Sequence, residues 1–184
     1  MSKKHKIILG ISCGDINGIG LETFLKAFLD KRLFDFCIPV LYAPQEVVDY
    51  YKKFYDLQDL KYCIITNSNQ ASSGQVNLIQ LFNESLSIKM GKVTKTAAKI
   101  AVQSLDVAMR DLKDNSINAL VTLPVNKQGI SLIKKDFIGH TEYFSKNCNN
   151  TESLMLLCSN DLKIATVTNH VPIAKVSKLI TPSL

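Results

Sequence analysis

The 184-residue chain is 46% hydrophobic and 21% charged, a composition typical of a folded globular protein and not of a disordered one. No apolar run approaches the roughly 20 residues that a membrane-spanning helix requires, which excludes insertion into a membrane. The formal net charge of +6 would suit phosphorylated partners, but Lys and Arg are dispersed without a basic cluster, so we expect no nucleic-acid partner.

The first segment resembles the start of a secretory signal peptide, with basic residues before a short apolar run. The run KIILGIS ends in the polar sequence from Ser12 to Asp15, however, and no small-residue cleavage pattern follows. We therefore predict a buried strand and a cytoplasmic protein. The five cysteines are odd in number and contain no CxxC pair, which predicts reduced, mostly buried thiols and no disulfide framework.

Strand-like and helix-like segments then alternate along the chain. Apolar runs predict strands over 6–12, 37–43, 62–66 and 117–124, and helical spacing of apolar residues predicts helices over 21–33, 44–57 and 91–114. The polar stretch 67–75 is predicted to be an exposed, mobile loop. Segments 153–158 and 162–168 are separated by a turn-like sequence and predict a hairpin. The alternation of strands and helices indicates an α/β protein with a parallel sheet.

Several strands end in loops rich in polar residues, namely GDINGIG, LPVNKQG and TNHVPI, with GHTE in a further loop. Ligands of open parallel α/β sheets gather at the carboxyl ends of the strands, where loop amides and helix N-termini converge. This pattern favours an active site over scattered loop polarity. The spacing in GDINGIG does not fit a GxGxxG dinucleotide motif, so we place no nucleotide there.

Each candidate residue also has a purely structural interpretation. The glycines of the first loop suit a tight strand-to-helix turn, and Asp15 either caps the next helix or orients a reacting group. Lys127 is either a surface lysine or a contact for a phosphate or carboxylate. His140 and Thr141 either bind a substrate or begin a helix, with Thr141 as its N-cap. His170 is either structural or a metal ligand, and one histidine cannot hold a metal alone.

Taken in order, CGDINGIG, ALVTLPVNKQGI, FIGHTEYF and VTNHVPIAKVSKLITPSL resemble the amino-terminal half of the 4-hydroxythreonine-4-phosphate dehydrogenase family of pyridoxal phosphate synthesis. GHTE and NHVP are the most specific of these stretches. The first loop departs modestly from the family's G-E-P-A-G-I-G pattern, although it keeps an acidic residue and the glycines.

The resemblance implies an isocitrate/isopropylmalate dehydrogenase-like α/β/α sandwich in a homodimeric, metal-dependent oxidoreductase. It implies oxidative decarboxylation of 4-phosphooxy-L-threonine by NAD or NADP, with a divalent metal (Zn, Mg or Co), to give 3-amino-2-oxopropyl phosphate. By position, His140 and Thr141 match substrate-binding residues and His170 matches the first metal-binding histidine. Lys127 and Asp15 fall in loops that border the site of the family.

Because the family's chains are considerably longer, we expect this sequence to be partial and inactive by itself. We predict a first α/β domain over 1–128 and the beginning of a second over 129–184. Two other interpretations stay open. The chain is a non-catalytic phosphate-binding or dimerising fragment, or it belongs to a related decarboxylating dehydrogenase of another hydroxy acid.

Overall fold

The computed structural model of the chain describes residues 6–82, 86–137, 139–148, 153–169 and 171–181. It divides into two compact units, Met1–Ile138 and Gly139–Leu184. The division follows contacts within this chain alone, and the predicted domain boundary at 128 stays a prediction for the whole protein.

A parallel sheet forms the centre of the first unit. Its strands are β1 (Ile7–Ser12), β2 (Cys37–Ala43), β3 (Tyr62–Ile65), β4 (Val76–Gln80) and β5 (Ala119–Thr122), and they lie in the order β3-β4-β2-β1-β5 with parallel neighbours. The helices are α1 (Gly20–Ala27), α2 (Gln45–Phe54), α3 (Lys95–Lys113) and α4 (Lys127–Ser131). This arrangement confirms the predicted α/β fold.

Helices cover both faces of the sheet, and the side chains of each strand alternate between two cores. Leu41 of β2 and Leu78 of β4 pack into the larger core with the buried residues of α1 and α2. Val40 and Ile79, one position along each strand, pack into the second core with Ala108 of α3. Small buried residues on α3, such as Ala108, allow this long helix to lie close to the strands.

Strand β4 was not predicted. Residues 67–75, the polar stretch before it, are largely exposed as predicted, but they include a 3-10 turn at Ser68–Gln70 and are held by the buried side chain of Asn77. Asn77 accepts a hydrogen bond from the Ser72 amide (2.9 Å) and donates to the Ser72 carbonyl (3.0 Å). The segment VNLIQ then pairs with both β2 and β3.

Helical segments also differ from the prediction at two places, after α1 and after Pro124. The helix predicted over 21–33 ends at Ala27, and a separate 3-10 turn occupies Lys31–Asp35. Asp30 is extended, and its carboxylate accepts a hydrogen bond from the Arg32 amide (3.0 Å), so it caps the new turn instead of continuing the helix. The polar loop predicted after Pro124 contains the short helix α4.

The second unit contains α5 (His140–Asn147), the strands β6 (Leu156–Cys158) and β7 (Lys163–Ala165), and α6 (Ile173–Leu179). The two strands pair in antiparallel fashion, which confirms the predicted hairpin. Apolar side chains on both faces of the hairpin are exposed, including Leu156 (56%), Leu157 (56%) and Ile164 (50%). Sheets with two apolar faces are normally covered on both sides, so this surface has the character of an interface.

Candidate functional site

The loops that follow β1 and β5 meet at one edge of the sheet. The two strands are parallel neighbours, with Ser12 opposite Thr122, so their carboxyl ends lie side by side. The Leu123 amide donates to the Ser12 carbonyl (3.2 Å), and the Asp15 amide donates to the Pro124 carbonyl (2.9 Å). Two of the four predicted polar loops therefore converge, as the rule for ligand sites in parallel sheets anticipates.

Gly14 makes this close approach possible. Its φ angle is +63°, and a Cβ atom at this position would lie 2.4 Å from the Pro124 carbonyl oxygen and 2.8 Å from that of Leu123. Backbone atoms cannot rotate away as a side chain can, so any other residue would push the two loops apart. The glycine-rich loop thus serves chain packing, which agrees with its interpretation as a tight turn.

Asp15 lies directly at this junction and is half-buried. Its Oδ1 accepts a hydrogen bond from the Asn17 amide (3.0 Å), forming a local turn. It does not cap α1, because the N-cap position belongs to Ile19, which makes no side-chain capping bond. Of the two interpretations left open for Asp15, the capping of the helix is therefore wrong.

Lys127 is the first residue of α4 and is exposed. The preceding residue, Asn126, caps the helix by accepting a hydrogen bond from the Gly129 amide (2.8 Å). Asn126 and Asp15 line the same small cavity of about 10 Å³, together with Thr94 at the start of α3. That volume holds about one water molecule, so the cavity marks where three loops meet and is not a substrate pocket by itself.

Side chains of α2 and α3 also hold the glycine loop and the end of β1 in place. The Tyr51 hydroxyl donates to the Ile16 carbonyl (2.7 Å), and burial raises the pKa of Tyr51 to about 12. Ser104 of α3 is completely buried, accepts from the Cys13 amide (2.9 Å) and donates to the Tyr42 carbonyl (2.6 Å). These contacts fix the end of β1 and hence the position of the loop that carries Asp15.

Asn17 is the residue at this site that the sequence did not single out. Its side chain is 3% exposed and bonds to segment 86–94, which precedes α3. Its identity within the glycine loop was visible, but its partners lie more than 70 positions away in the chain, so no local pattern could reveal them.

The cysteines only partly follow the prediction that they are mostly buried. Cys13 and Cys37 are buried, whereas Cys148 and Cys158 are exposed. Burial raises the pKa of the Cys13 thiol to about 12, which keeps it protonated at neutral pH. Cys13 is thus not a nucleophile, although it lies next to the candidate site.

His140 and Thr141 form the first turn of α5 in the second unit. The N-cap is Gly139, so the interpretation of Thr141 as an N-cap is wrong. His140 is half-buried, and its ring stacks on Phe144 with centroids 6.4 Å apart. Thr141 is exposed and borders an open cavity of about 420 Å³ whose other polar side chains include Glu142, Ser145, Lys146 and Asn169.

His170, the predicted metal ligand, lies outside the described residues. Within the described ranges no group of three or more His, Cys, Asp or Glu side chains is arranged to hold a metal ion. None of the described helices has the length and apolarity needed to cross a membrane.

Comparison with known proteins identifies the family. The family model for the pyridoxal phosphate biosynthetic protein PdxA matches residues 35–184. The 4-hydroxythreonine-4-phosphate dehydrogenase of Bacteroides thetaiotaomicron is 32% identical over 183 residues, which cover 99% of this chain and 50% of the relative. That of Sulfurihydrogenibium sp. is 32% identical over 175 residues, covering 94% of this chain and 52% of the relative.

A more distant relative from Clostridium botulinum carries the provisional name D-threonate 4-phosphate dehydrogenase and is 25% identical over 179 residues, covering 96% of this chain and 54% of its own length. The chain thus spans about half the length of the curated relatives it matches.

Solved structures agree on the fold. A 4-hydroxythreonine-4-phosphate dehydrogenase from Burkholderia phymatum matches with a TM-score of 0.89 at 22% identity, covering 98% of this chain and 55% of that one. The enzyme of the same name from Klebsiella pneumoniae gives a TM-score of 0.78 at 22% identity, with 92% and 53% covered. The chain belongs to the family of the pyridoxal phosphate biosynthetic protein PdxA.

Proposed function

We propose that this chain supplies the first part of a dehydrogenase in pyridoxal phosphate synthesis. The proposed reaction is oxidative decarboxylation of 4-phosphooxy-L-threonine with NAD or NADP, yielding 3-amino-2-oxopropyl phosphate. The observation that carries the proposal is the family match over residues 35–184, together with 32% identity to a dehydrogenase of that substrate over nearly the whole chain. The convergence of Asp15 and the start of α4 at one sheet edge supports it.

The chain's own residues would bind and orient the substrate. Lys127 is an exposed cation at the carboxyl edge of β5 and suits a phosphate or carboxylate group. Thr141 borders an open cavity with Lys146 and Asn169, where a hydroxyl and a cation can bind a phosphorylated hydroxy acid. The His140 ring, at the start of the same helix, would hydrogen-bond a substrate oxygen. Asp15 would orient a reacting group at the sheet edge where the loops after β1 and β5 meet.

When bound, the nicotinamide would accept a hydride and the divalent metal (Zn, Mg or Co) would favour oxidation of the hydroxyl and loss of CO₂. His170 is the proposed first metal ligand from this chain. A mononuclear site takes about three protein ligands, so we propose that the others come from the half of the family sequence that this chain does not match. We further propose that the whole protein is a cytoplasmic homodimer.

The proposal is tested on the protein purified from its native source. We would determine its intact mass and assay reduction of NAD and NADP with 4-phosphooxy-L-threonine and each of the three metals, before and after EDTA. We expect metal-dependent turnover, which His170→Ala abolishes. His5→Ala removes a histidine outside the proposed site and serves as the matched control, which should retain activity.

Two results would count against the proposal. Turnover that survives both EDTA and His170→Ala would remove the metal role. A native protein of this length that neither turns over the substrate nor binds a divalent metal would remove the catalytic claim. The same 184-residue chain should also be mixed with a polypeptide that carries the unmatched half of the Bacteroides thetaiotaomicron relative, to test whether completion restores turnover.

A second candidate is a related dehydrogenase of another phosphorylated hydroxy acid. The specific support is the 25% identity to the Clostridium botulinum protein named for D-threonate 4-phosphate. Threonate and threonine derivatives share the 4-phosphate and differ in the group at carbon 2. Comparison of kcat/KM for the two substrates distinguishes the candidates, and a higher value for D-threonate 4-phosphate would replace the first assignment.

A third candidate is a non-catalytic phosphate-binding or dimerising fragment. The exposed apolar faces of the β6–β7 hairpin favour association with another polypeptide. Sedimentation of the isolated chain tests dimerisation, and titration with inorganic phosphate tests binding. A monomer without phosphate affinity would exclude this candidate.

A further inference from the structure

The buried amide side chain of Asn17 forms hydrogen bonds with a segment outside its own loop. Its Nδ2 donates to the Lys92 carbonyl (2.8 Å) and to Thr94 Oγ1 (3.1 Å), and its Oδ1 accepts from the Lys89 amide (2.8 Å). The Asn17 carbonyl accepts a further hydrogen bond from the Gly91 amide (2.8 Å). One residue of the glycine loop is therefore joined by four hydrogen bonds to segment 86–94.

The segment that Asn17 holds adjoins the candidate site. It leads into α3, whose N-cap Thr94 accepts a hydrogen bond from the Ala97 amide (3.2 Å), and Thr94 lines the small cavity beside Asp15. The segment carries two exposed cations, Lys89 and Lys92. Its chain reverses at Gly91, where φ is +70° and a Cβ atom would meet nothing within 4 Å.

These contacts have a consequence for binding. A segment with exposed lysines would sample many arrangements if it were anchored only at its ends, and ordering it on binding would cost affinity. The bonds from Asn17 impose that order beforehand, because they fix backbone groups on both sides of Gly91. They also place the beginning of α3 at a constant distance from the loop that carries Asp15.

We propose that Asn17 is a positioning residue that holds segment 86–94 as a preformed basic wall of the substrate site. The wall suits a phosphorylated, anionic substrate, since two lysines lie on it. This inference rests on the proposed function for its use, but its structural part can be tested without substrate. Asn17 itself makes no contact with substrate in this proposal.

The test is amide hydrogen exchange in the 184-residue chain, comparing Asn17→Ala with the unmodified protein. We expect exchange in peptides covering 86–94 to accelerate about tenfold or more, because the variant loses all three side-chain hydrogen bonds to this segment. Exchange in β2 and β4 should stay nearly unchanged. Asn17→Asp keeps an acceptor for the Lys89 amide but sets a buried carboxylate oxygen against the Lys92 carbonyl in place of a donor, so it should accelerate exchange at least as much as Asn17→Ala.

Asn77→Ala is the matched control. Asn77 is also a completely buried asparagine, and it fastens the polar stretch before β4 through the Ser72 amide and carbonyl. Its replacement should accelerate exchange around Ser72 and leave 86–94 protected. Unchanged protection of 86–94 in Asn17→Ala, or equal acceleration across the whole sheet, would overturn the proposal. If Asn17→Ala does not fold, Asn17→Asp is compared with Asn77→Asp instead. Asn17→Asp should accelerate exchange in 86–94, and Asn77→Asp should accelerate it only around Ser72.

A kinetic readout separates positioning from a general loss of stability. In an active preparation, Asn17→Ala should raise KM for the phosphorylated substrate more than it lowers kcat, and added salt should reduce the difference between the two proteins, since screening weakens the attraction by Lys89 and Lys92. A loss of kcat with unchanged KM would contradict the proposal that segment 86–94 contributes to substrate binding. Because exchange needs no turnover, failure of the dehydrogenase assay leaves the exchange result interpretable.

Discussion

Replacement of Gly14 by alanine should destabilise the first unit more than replacement of any loop glycine in open space. Two effects add at this position. Alanine at φ +63° costs about 1–2 kcal/mol because its Cβ approaches the following carbonyl. In addition, the Cβ would lie 2.4 Å from the Pro124 oxygen, and relief of that overlap requires the β1 and β5 loops to separate.

The separation has a cost that the structure allows us to bracket. Moving the loops apart weakens the bond from the Asp15 amide to Pro124 and the bond from the Leu123 amide to Ser12. Each is worth about 0.5–1.5 kcal/mol, which brings the total with the backbone term to about 2–5 kcal/mol. A change of this size is a large fraction of the stability of a small domain.

Gly74→Ala provides the matched control. Gly74 has a φ angle of +86°, but a Cβ atom there would meet nothing within 4 Å. It therefore carries the backbone cost without the steric one, and we expect a loss of about 1–2 kcal/mol. Urea unfolding followed by far-UV circular dichroism measures both variants. If Gly14→Ala loses no more stability than Gly74→Ala, the close approach of the two loops is refuted as the reason for glycine.

Three further predictions follow from buried or exposed groups. Ser104→Ala should lower the free energy of unfolding by about 1–3 kcal/mol, because it leaves the buried Cys13 amide unpaired; an unchanged urea midpoint would contradict this. Because the pKa of Cys13 is raised from 9.0 to about 12, its contribution to stability is complete below pH 9 and is lost between pH 9 and 12, so Cys13→Ala should flatten the fall in urea midpoint over that range. Ile164→Lys should reduce self-association and dye binding by the hairpin without altering the first unit, and unchanged sedimentation and dye fluorescence would show that this surface is not an interface.

The sequence indicated those parts of the fold that have local patterns. Apolar runs located four of the five strands of the sheet, and the pairing of Leu157 with Ile164 confirms the hairpin inferred from a turn between two runs. Strand β4 was missed because VNLIQ is short, contains the polar residues Asn77 and Gln80, and follows a polar stretch that resembles a long loop. The early end of α1 was missed because the cap at Asp30 restarts a turn within a continuous helix-like pattern.

The location of the candidate site could be predicted from the sequence, but the hydrogen bonds that hold its loops together could not. The rule for strand ends brought Asp15 and Lys127 to neighbouring loops, because β1 and β5 are adjacent. The hydrogen bonds of Asn17 could not be foreseen, since its partners depend on how two distant segments fold onto each other. The roles of His140, Thr141 and His170 come from resemblance to the family and remain predictions.

The bond between the Cys13 amide and Ser104 bears on how this chain folds during its synthesis. The two residues are 91 positions apart, and at about 5–20 residues per second the ribosome needs roughly 5–18 s to proceed from one to the other. During that interval β1 can pair with β2 but not with β5. The Cys13 amide at the end of β1 cannot yet donate its hydrogen bond to Ser104. The nascent chain therefore exposes an unfinished sheet edge for seconds, which is a period when chaperone binding would protect it from aggregation.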